Sequence, residues 1–213
     1  MIVKKEIEDI WAKPLRLIAY PFSSFLIRYT NITPNQITVA SFLFALISSY
    51  FFIKGGFNNF LWGALFSTIY VVFDCIDGDI ARTKNIKTKL GKWLDAAIGF
   101  VSTELILFSV IVGLNSKIAF IGGLIAMISF PMHFSMIHFY KSEIAESKEE
   151  IVISKSEKIN YLKYLYGDTF FFTALPVFCL LNKAVYLVLF LALFGTLFWV
   201  GSLAIQFLKI KRG

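Results

Sequence analysis

Charge is scarce in this sequence. Only 16% of the 213 residues are Asp, Glu, Lys or Arg, against 57% hydrophobic residues and a mean hydropathy of +0.71. An ordinary soluble domain carries about a quarter charged residues, so that class is excluded. Cysteine is almost absent: Cys75 and Cys179 stand in separate apolar runs without ligand-type spacing. That supports neither a disulfide framework nor a zinc site, and the two read as small buried hydrophobes. The N-terminus does not read as a secretory leader, because Lys4, Lys5, Glu6, Glu8 and Asp9 mix signs with no clean apolar core and cleavage site behind them. The mature chain is therefore expected to start near Met1. No internal repeat of the transporter kind is present.

What is present is a series of apolar runs, roughly 36–53, 57–81, 93–113, 118–140, 161–181 and 184–208. Each is long enough as a helix to cross a hydrocarbon core of about 30 Å. The expected fold is an all-α integral membrane protein with six transmembrane helices. Ahead of them, Trp11, Leu15, Ile18, Phe22 and Phe25 alternate with Lys13, Arg16 and Arg28, with Pro14 and Pro21 interrupting the pattern. This reads as an N-terminal amphipathic helix lying in the membrane interface. Thr33 before Pro34 is a helix start signal, which divides the chain into an interfacial segment, 1–33, and a six-helix domain, 34–213.

Basic residues mark alternate connections. Arg82, Lys84, Lys87, Lys89 and Lys92 fall in one, and Lys141, Lys148, Lys155, Lys158 and Lys163 in another. The opposite connections hold only Lys54, Lys117 and Lys183. The bias predicts a multi-pass protein of the cell membrane with both termini and the basic loops cytoplasmic. The net charge of +7 sits at the ends of apolar runs, so its expected partners are membrane lipids and not nucleic acid.

One stretch departs from the apolar pattern: Asp74-Cys75-Ile76-Asp77-Gly78-Asp79-Ile80-Ala81-Arg82, then eight residues to Gly91 and three more to Asp95. On a helix, Asp74, Asp77, Gly78 and Ala81 share an arc of roughly 100°, and Gly91 and Asp95 share a face of the next helix. Three carboxylates converging beside apolar runs repel unless a cation lies between them, and a divalent metal is the natural partner. Gly78, Ala81 and Gly91 leave room for a flat or phosphorylated ligand to approach the backbone.

The spacing resembles the signature of the CDP-alcohol phosphotransferase (CDP-alcohol phosphatidyltransferase) family, Asp-x2-Asp-Gly-x2-Ala-Arg-x8-Gly-x3-Asp-x3-Asp. Seven of the eight fixed positions match, and the last Asp is replaced by Gly99. The resemblance implies a membrane transferase of phospholipid biosynthesis. It moves a substituted phosphate from a CDP-alcohol to a small alcohol or phospho-alcohol acceptor, with release of CMP; a slot between membrane helices suits CDP-diacylglycerol or a related CDP-lipid as donor, and a soluble CDP-alcohol stays open. It also implies Mg²⁺ or Mn²⁺ at Asp74, Asp77 and Asp95, and a homodimer with its active site on the cytoplasmic side. CDP-alcohol binding would fall to Asn35, Thr38, Asp74, Gly78, Ala81, Arg82, Thr88 and Gly91. Arg82 would hold a phosphate oxygen, and Thr88 stands where the family has a small hydroxyl residue.

The departure at Gly99 removes the carboxylate that the family uses as general base, which leaves the catalytic residue unassigned. Two readings follow: an enzyme that draws on a water, a substrate phosphate oxygen or another carboxylate such as Asp168, or a degenerate member that binds CDP-alcohol or lipid without turnover. The acceptor is not readable. Only four arginines occur, Arg16, Arg28, Arg82 and Arg212, and none lies in the fourth to sixth apolar runs to clamp a phosphorylated acceptor, although lysines of the 141–163 connection offer a substitute. Glu104 lies roughly 13 Å deeper than Asp95 along an ideal helix and is expected to pair with a polar group on another helix. His133 and His138 stand about 140° apart, poorly placed for a shared metal, and read as interhelical hydrogen-bond residues. The runs of Phe51 and Phe52 and of Phe170, Phe171 and Phe172 read as lipid-facing or packing residues.

Overall fold

The structure, a computed structural model, describes residues 11–144 and 167–212, and all regular structure in them is helical. Seven helices follow in order: α1 (Ala12–Tyr29), α2 (Pro34–Lys54), α3 (Phe57–Thr83), α4 (Lys89–Leu114), α5 (Lys117–Phe139), α6 (Asp168–Leu180) and α7 (Ala184–Arg212). A π-helical turn, Tyr140–Ile144, extends α5. Lys148, Lys155, Lys158, Lys163 and the first part of the 161–181 run lie outside the described residues.

Five helices, α2, α3, α4, α5 with its extension and α7, are long and apolar enough to cross a membrane. The 13 described residues of α6 rise about 20 Å and do not reach across on their own, so among the described residues the expected six spans number five. The local start signals explain the helix boundaries. At the head of α2 the Gln36 N–H donates to Thr33 Oγ1 at 3.4 Å and the Thr33 N–H donates to Gln36 Oε1 at 2.9 Å, a reciprocal capping box with Pro34 in the first turn. Helix α4 begins four residues before its apolar run because Thr88 Oγ1 accepts the Gly91 N–H at 2.9 Å and caps a polar first turn. In α1, Pro14 falls in the first turn, where no N–H bond is needed, and the helix runs on through Pro21.

Helices in hydrocarbon gain little from apolar transfer, so close packing has to hold them together. Small residues supply it between α2 and α3. Ser48 donates to the Gly63 carbonyl at 2.8 Å, and a methyl group at Gly63 would stand 2.8–2.9 Å from the Phe52 ring. Helix α2 also packs against α4, α4 against α5, α5 against α7, α7 against α6, and α6 against α3, which closes a ring. Ser129 and Thr196 hydrogen-bond across α5 and α7 at 3.1 Å. Helix α1 lays Ala12, Leu15, Ala19 and Ser23 against the bundle, mainly on α3, and leaves Phe22, Phe25 and Tyr29 exposed. Phe170, Phe171 and Phe172 are all buried, which makes them packing residues and not lipid-facing ones.

The arrangement that matters for function is between α3 and α4. They are consecutive in the chain, yet they hardly touch, because both rest on α2. The space between them holds the carboxylates.

Candidate functional site

Asp74 and Asp77 stand one turn apart on α3, and Asp95 comes from α4; one carboxylate oxygen from each lies within 4.8 Å of the others. Asp77 is 5% exposed, Asp74 is half-buried and Asp95 is exposed, so the trio runs from the helix packing outward into solvent. Thr38 of α2 holds Asp77. Its hydroxyl lies within hydrogen-bond distance of Asp77 Oδ2 and of the Pro34 carbonyl, and its single proton serves one of them at a time. Three carboxylates at this separation disfavour each other's ionisation unless a cation intervenes, and an all-oxygen, hard donor set suits Mg²⁺ or Mn²⁺. The trio therefore fits the divalent metal that the sequence motif implies.

Two cavities open from the trio, and Asp95 lines both. The first, of about 230 Å³, lies between the start of α2, the end of α3 and the start of α4. Asn35, Thr38, Gly78, Ala81, Arg82, Thr88 and Gly91, the residues expected to bind a CDP-alcohol, all line it with Asp77. Asp74 does not; it lines the second cavity. The two glycines permit close approach. A methyl group at Gly78 would stand 3.0 Å from Arg82 Nη1, and one at Gly91 would stand 3.0 Å from both Asn35 Oδ1 and Thr88 Oγ1. Lys87 and Lys92 line this cavity as well, whereas Lys84 donates to the Thr30 carbonyl at 3.1 Å and ties the α1–α2 connection to the loop after α3.

The second cavity, of about 310 Å³, runs between α3 and α4 toward α5 and α6. Asp74, Asp95, Gly99, Thr103 and Asp168 line it beside aromatic rings from four helices: Tyr70, Phe100, Phe134 and Phe172. The rings meet in two edge-on pairs, Tyr70 with Phe172 at 5.3 Å and Phe100 with Phe134 at 4.8 Å between centroids. Gly99 faces open space, with nothing within 4 Å of where its Cβ would stand. Thr103 is 2% exposed and its hydroxyl has no hydrogen-bond partner among the described residues.

Sequence reasoning missed several of these residues. Asp79 accepts from Arg82 Nη2 at 2.7 Å and from Ser23 of α1 at 3.1 Å, which sets the guanidinium over Gly78 and joins α1 to the site. Its place inside the acid cluster was a usable signal, because Asp79 and Arg82 are three apart on one helix. The aromatic wall gave no signal, since a Phe in an apolar run looks the same whether it faces lipid or a cavity. Glu104 departs from expectation: its buried Oε1 has no hydrogen-bond partner among the described residues, and the side chain lines an apolar groove with Phe108 and Met127. His133 packs edge-on against Phe198 of α7 and His138 against Phe134 of its own helix, apart from each other's chemistry.

Known proteins share both the motif region and the fold. The chain is 33% identical over 84 residues to the phosphatidylinositol phosphate synthase of Corynebacterium glutamicum, and 36% identical over 84 residues to the archaetidylinositol phosphate synthase of Pyrococcus horikoshii. The stretches cover 39% of this chain in both cases and 37% and 43% of those relatives, so the chain matches well under half the length of each. The phosphatidylinositol phosphate synthase of Mycobacterium tuberculosis with CDP-DAG bound superimposes with a TM-score of 0.65 over 89% of this chain and 94% of that one, at 16% identity. The same synthase in complex with manganese and citrate gives 0.63 over 89% and 88%, at 17% identity. At such identities the superposition speaks for the fold alone. The sequence profile of the CDP-alcohol phosphatidyltransferase family, however, matches residues 31–205, nearly the whole helical bundle and both cavity walls, and to that family the chain belongs.

Proposed function

We propose that this multi-pass membrane protein transfers a substituted phosphate from a CDP-alcohol to the hydroxyl of an acceptor alcohol and releases CMP, as a step of phospholipid synthesis. The observation that carries the reading is the carboxylate trio at the junction of two cavities, one lined by the small and basic residues of the family signature and the other running between α3 and α4 toward α5 and α6. A donor in the first cavity and an acceptor in the second would meet at Asp95. The donor that suits a site opening between membrane helices is a CDP-lipid, with CDP-diacylglycerol the first to test.

Asp74, Asp77 and Asp95 would hold Mg²⁺ or Mn²⁺, which when bound neutralises a pyrophosphate and polarises its phosphorus. The protein's own residues do the positioning. Thr38 fixes the Asp77 rotamer, Asn35 and Thr88 border the floor that Gly91 keeps low, and Gly78 and Ala81 keep the α3 wall flat. Arg82, now paired with Asp79 and half exposed, has a planar fork suited to two phosphate oxygens. Lys87 and Lys92 raise the local concentration of an anionic donor. In this reading the site and both termini face the cytoplasm, α1 lies along the membrane surface ahead of a catalytic unit at 34–213, and the protein works as a homodimer.

A binder without turnover, the alternative raised by Gly99, finds no support among the relatives, which are named as synthases. The test is CMP release by the purified protein from CDP-diacylglycerol with serine, glycerol 3-phosphate or myo-inositol 1-phosphate as acceptor. Release that stops with EDTA and returns with Mn²⁺ is expected. CDP that fails to bind in calorimetry, with or without Mn²⁺, would sink the reading.

A further inference from the structure

We infer that Asp168 is the proton acceptor for the incoming alcohol, a carboxylate supplied by α6 to the cavity where Gly99 of α4 leaves none. This rests on the transfer reading above and adds the residue that the reaction lacks. The family signature ends on a carboxylate one turn beyond Asp95, and here that position is a glycine whose Cβ direction meets nothing within 4 Å. The space is therefore kept open and not refilled by a larger neighbour. Asp168 lies outside the signature, 69 positions further along the chain, yet it lines this same cavity with Asp74, Asp95 and Gly99. It reaches the cavity because α6 packs on α3 and α7.

Two further features show a cavity built to receive a hydroxyl-bearing molecule. Thr103 presents a hydroxyl that is 2% exposed and without a partner among the described residues, a group that costs free energy until something bonds to it. Asp168, by contrast, is exposed, in the first turn of a 13-residue helix.

The acceptor oxygen forms a bond to the β-phosphorus of the donor as its proton passes to an Asp168 carboxylate oxygen. The bond between that phosphorus and the bridging oxygen breaks, and CMP leaves with the electron pair. Asp168 then returns the proton to water through the cavity mouth.

A merely structural Asp168, stabilising the start of α6, is distinguished by its replacement. Asp168 follows the N-cap Gly167 and makes no side-chain cap bond, so Asp168→Asn keeps the size and polarity of the side chain and removes the base. CMP release would be measured with Mn²⁺, CDP-diacylglycerol and the three acceptors named above, with CDP calorimetry on each variant. Asp168→Asn is expected to lower kcat by about 10² to 10⁴-fold with CDP affinity unchanged, the usual contribution of a positioned base. Adding Gly99→Asp to Asp168→Asn is expected to recover most of the loss by returning a carboxylate from the α4 side. Asp168→Asn turnover close to that of the native protein would overturn the inference. Should Asp168→Asn misfold, Gly99→Asp alone decides: a gain of about 10² to 10⁴-fold would show that the native chain had no base, and little or no gain is expected. Native protein that binds CDP but never releases CMP overturns the base assignment, whereas loss of CDP binding throughout overturns the transfer reading beneath it.

Discussion

The two cavities that share Asp95 are built from different material. The first draws its wall from residues 34–95, the adjoining ends of three successive helices, and nearly every side chain in it is small, polar or basic. The second draws on residues 70–172, from four helices, and sets three carboxylates against four aromatic rings. A wall made of neighbouring helix ends can be specified by spacing along the chain, because a turn of helix and a capped loop carry each residue to its place. A wall made of four helices depends on how the bundle closes.

That contrast can be broken most forcefully at the residue common to both. Asp95→Ala should abolish function on both sides, lowering CMP release by about 10² to 10³-fold or more, as loss of a group that stabilises transition-state charge does. Anomalous scattering from Mn²⁺-soaked crystals should find the metal gone. Retained turnover with metal still bound would mean that the trio is not the centre.

The next test confines damage to the first cavity. Ala81→Leu fills the space beside Arg82 and should reduce CDP binding below detection in calorimetry while circular dichroism shows an unchanged helical fold. Native CDP affinity in this variant would remove the donor from that cavity.

A smaller effect is expected from Thr38→Val, which keeps the shape and removes the hydroxyl that orients Asp77. Residues behind a metal ligand typically contribute about 10 to 100-fold in metal affinity, so a Mn²⁺ titration of CMP release should shift by that factor. No shift would show that Asp77 is held by helix packing alone.

The smallest effect should appear in the second cavity. Thr103→Val replaces an unpartnered buried hydroxyl with a methyl of similar size, and the protein without substrate should gain about 1 kcal/mol of stability. The acceptor KM should rise while CDP affinity stays the same. A loss of stability would mean that the hydroxyl is already satisfied.

The legibility of the molecule follows the same division. The helices could be read because apolar runs bounded by Thr33-Pro34, Lys54-Gly55-Gly56 and Asn115-Ser116 have few other ways to fold in a membrane, and α2 to α5 and α7 lie where those runs are. The site on α3 and α4 could be read because its residues recur at helical spacing. Asp79 escaped notice because a motif picks out fixed positions, and the Asp79 carboxylate serves Arg82 and Ser23 without being one of them. Glu104 departs from expectation because its Oε1 is buried with no hydrogen-bond partner among the described residues, against the rule that made pairing the sensible expectation.

What the sequence determined by itself is local: helix lengths, the Thr33 and Thr88 caps, and the carriage of Asp74, Asp77 and Asp95 on faces able to converge. These depend on a 3.6-residue period and on backbone hydrogen bonds that close within one turn. What only the tertiary structure decided is that α3 and α4 both lean on α2 and leave a gap between them, and that α6 brings Asp168 to the empty side of Gly99. Helix packing in hydrocarbon is chosen by the fit of small and large side chains across whole surfaces, as with Gly63 beneath Phe52, and that fit belongs to no single stretch of chain.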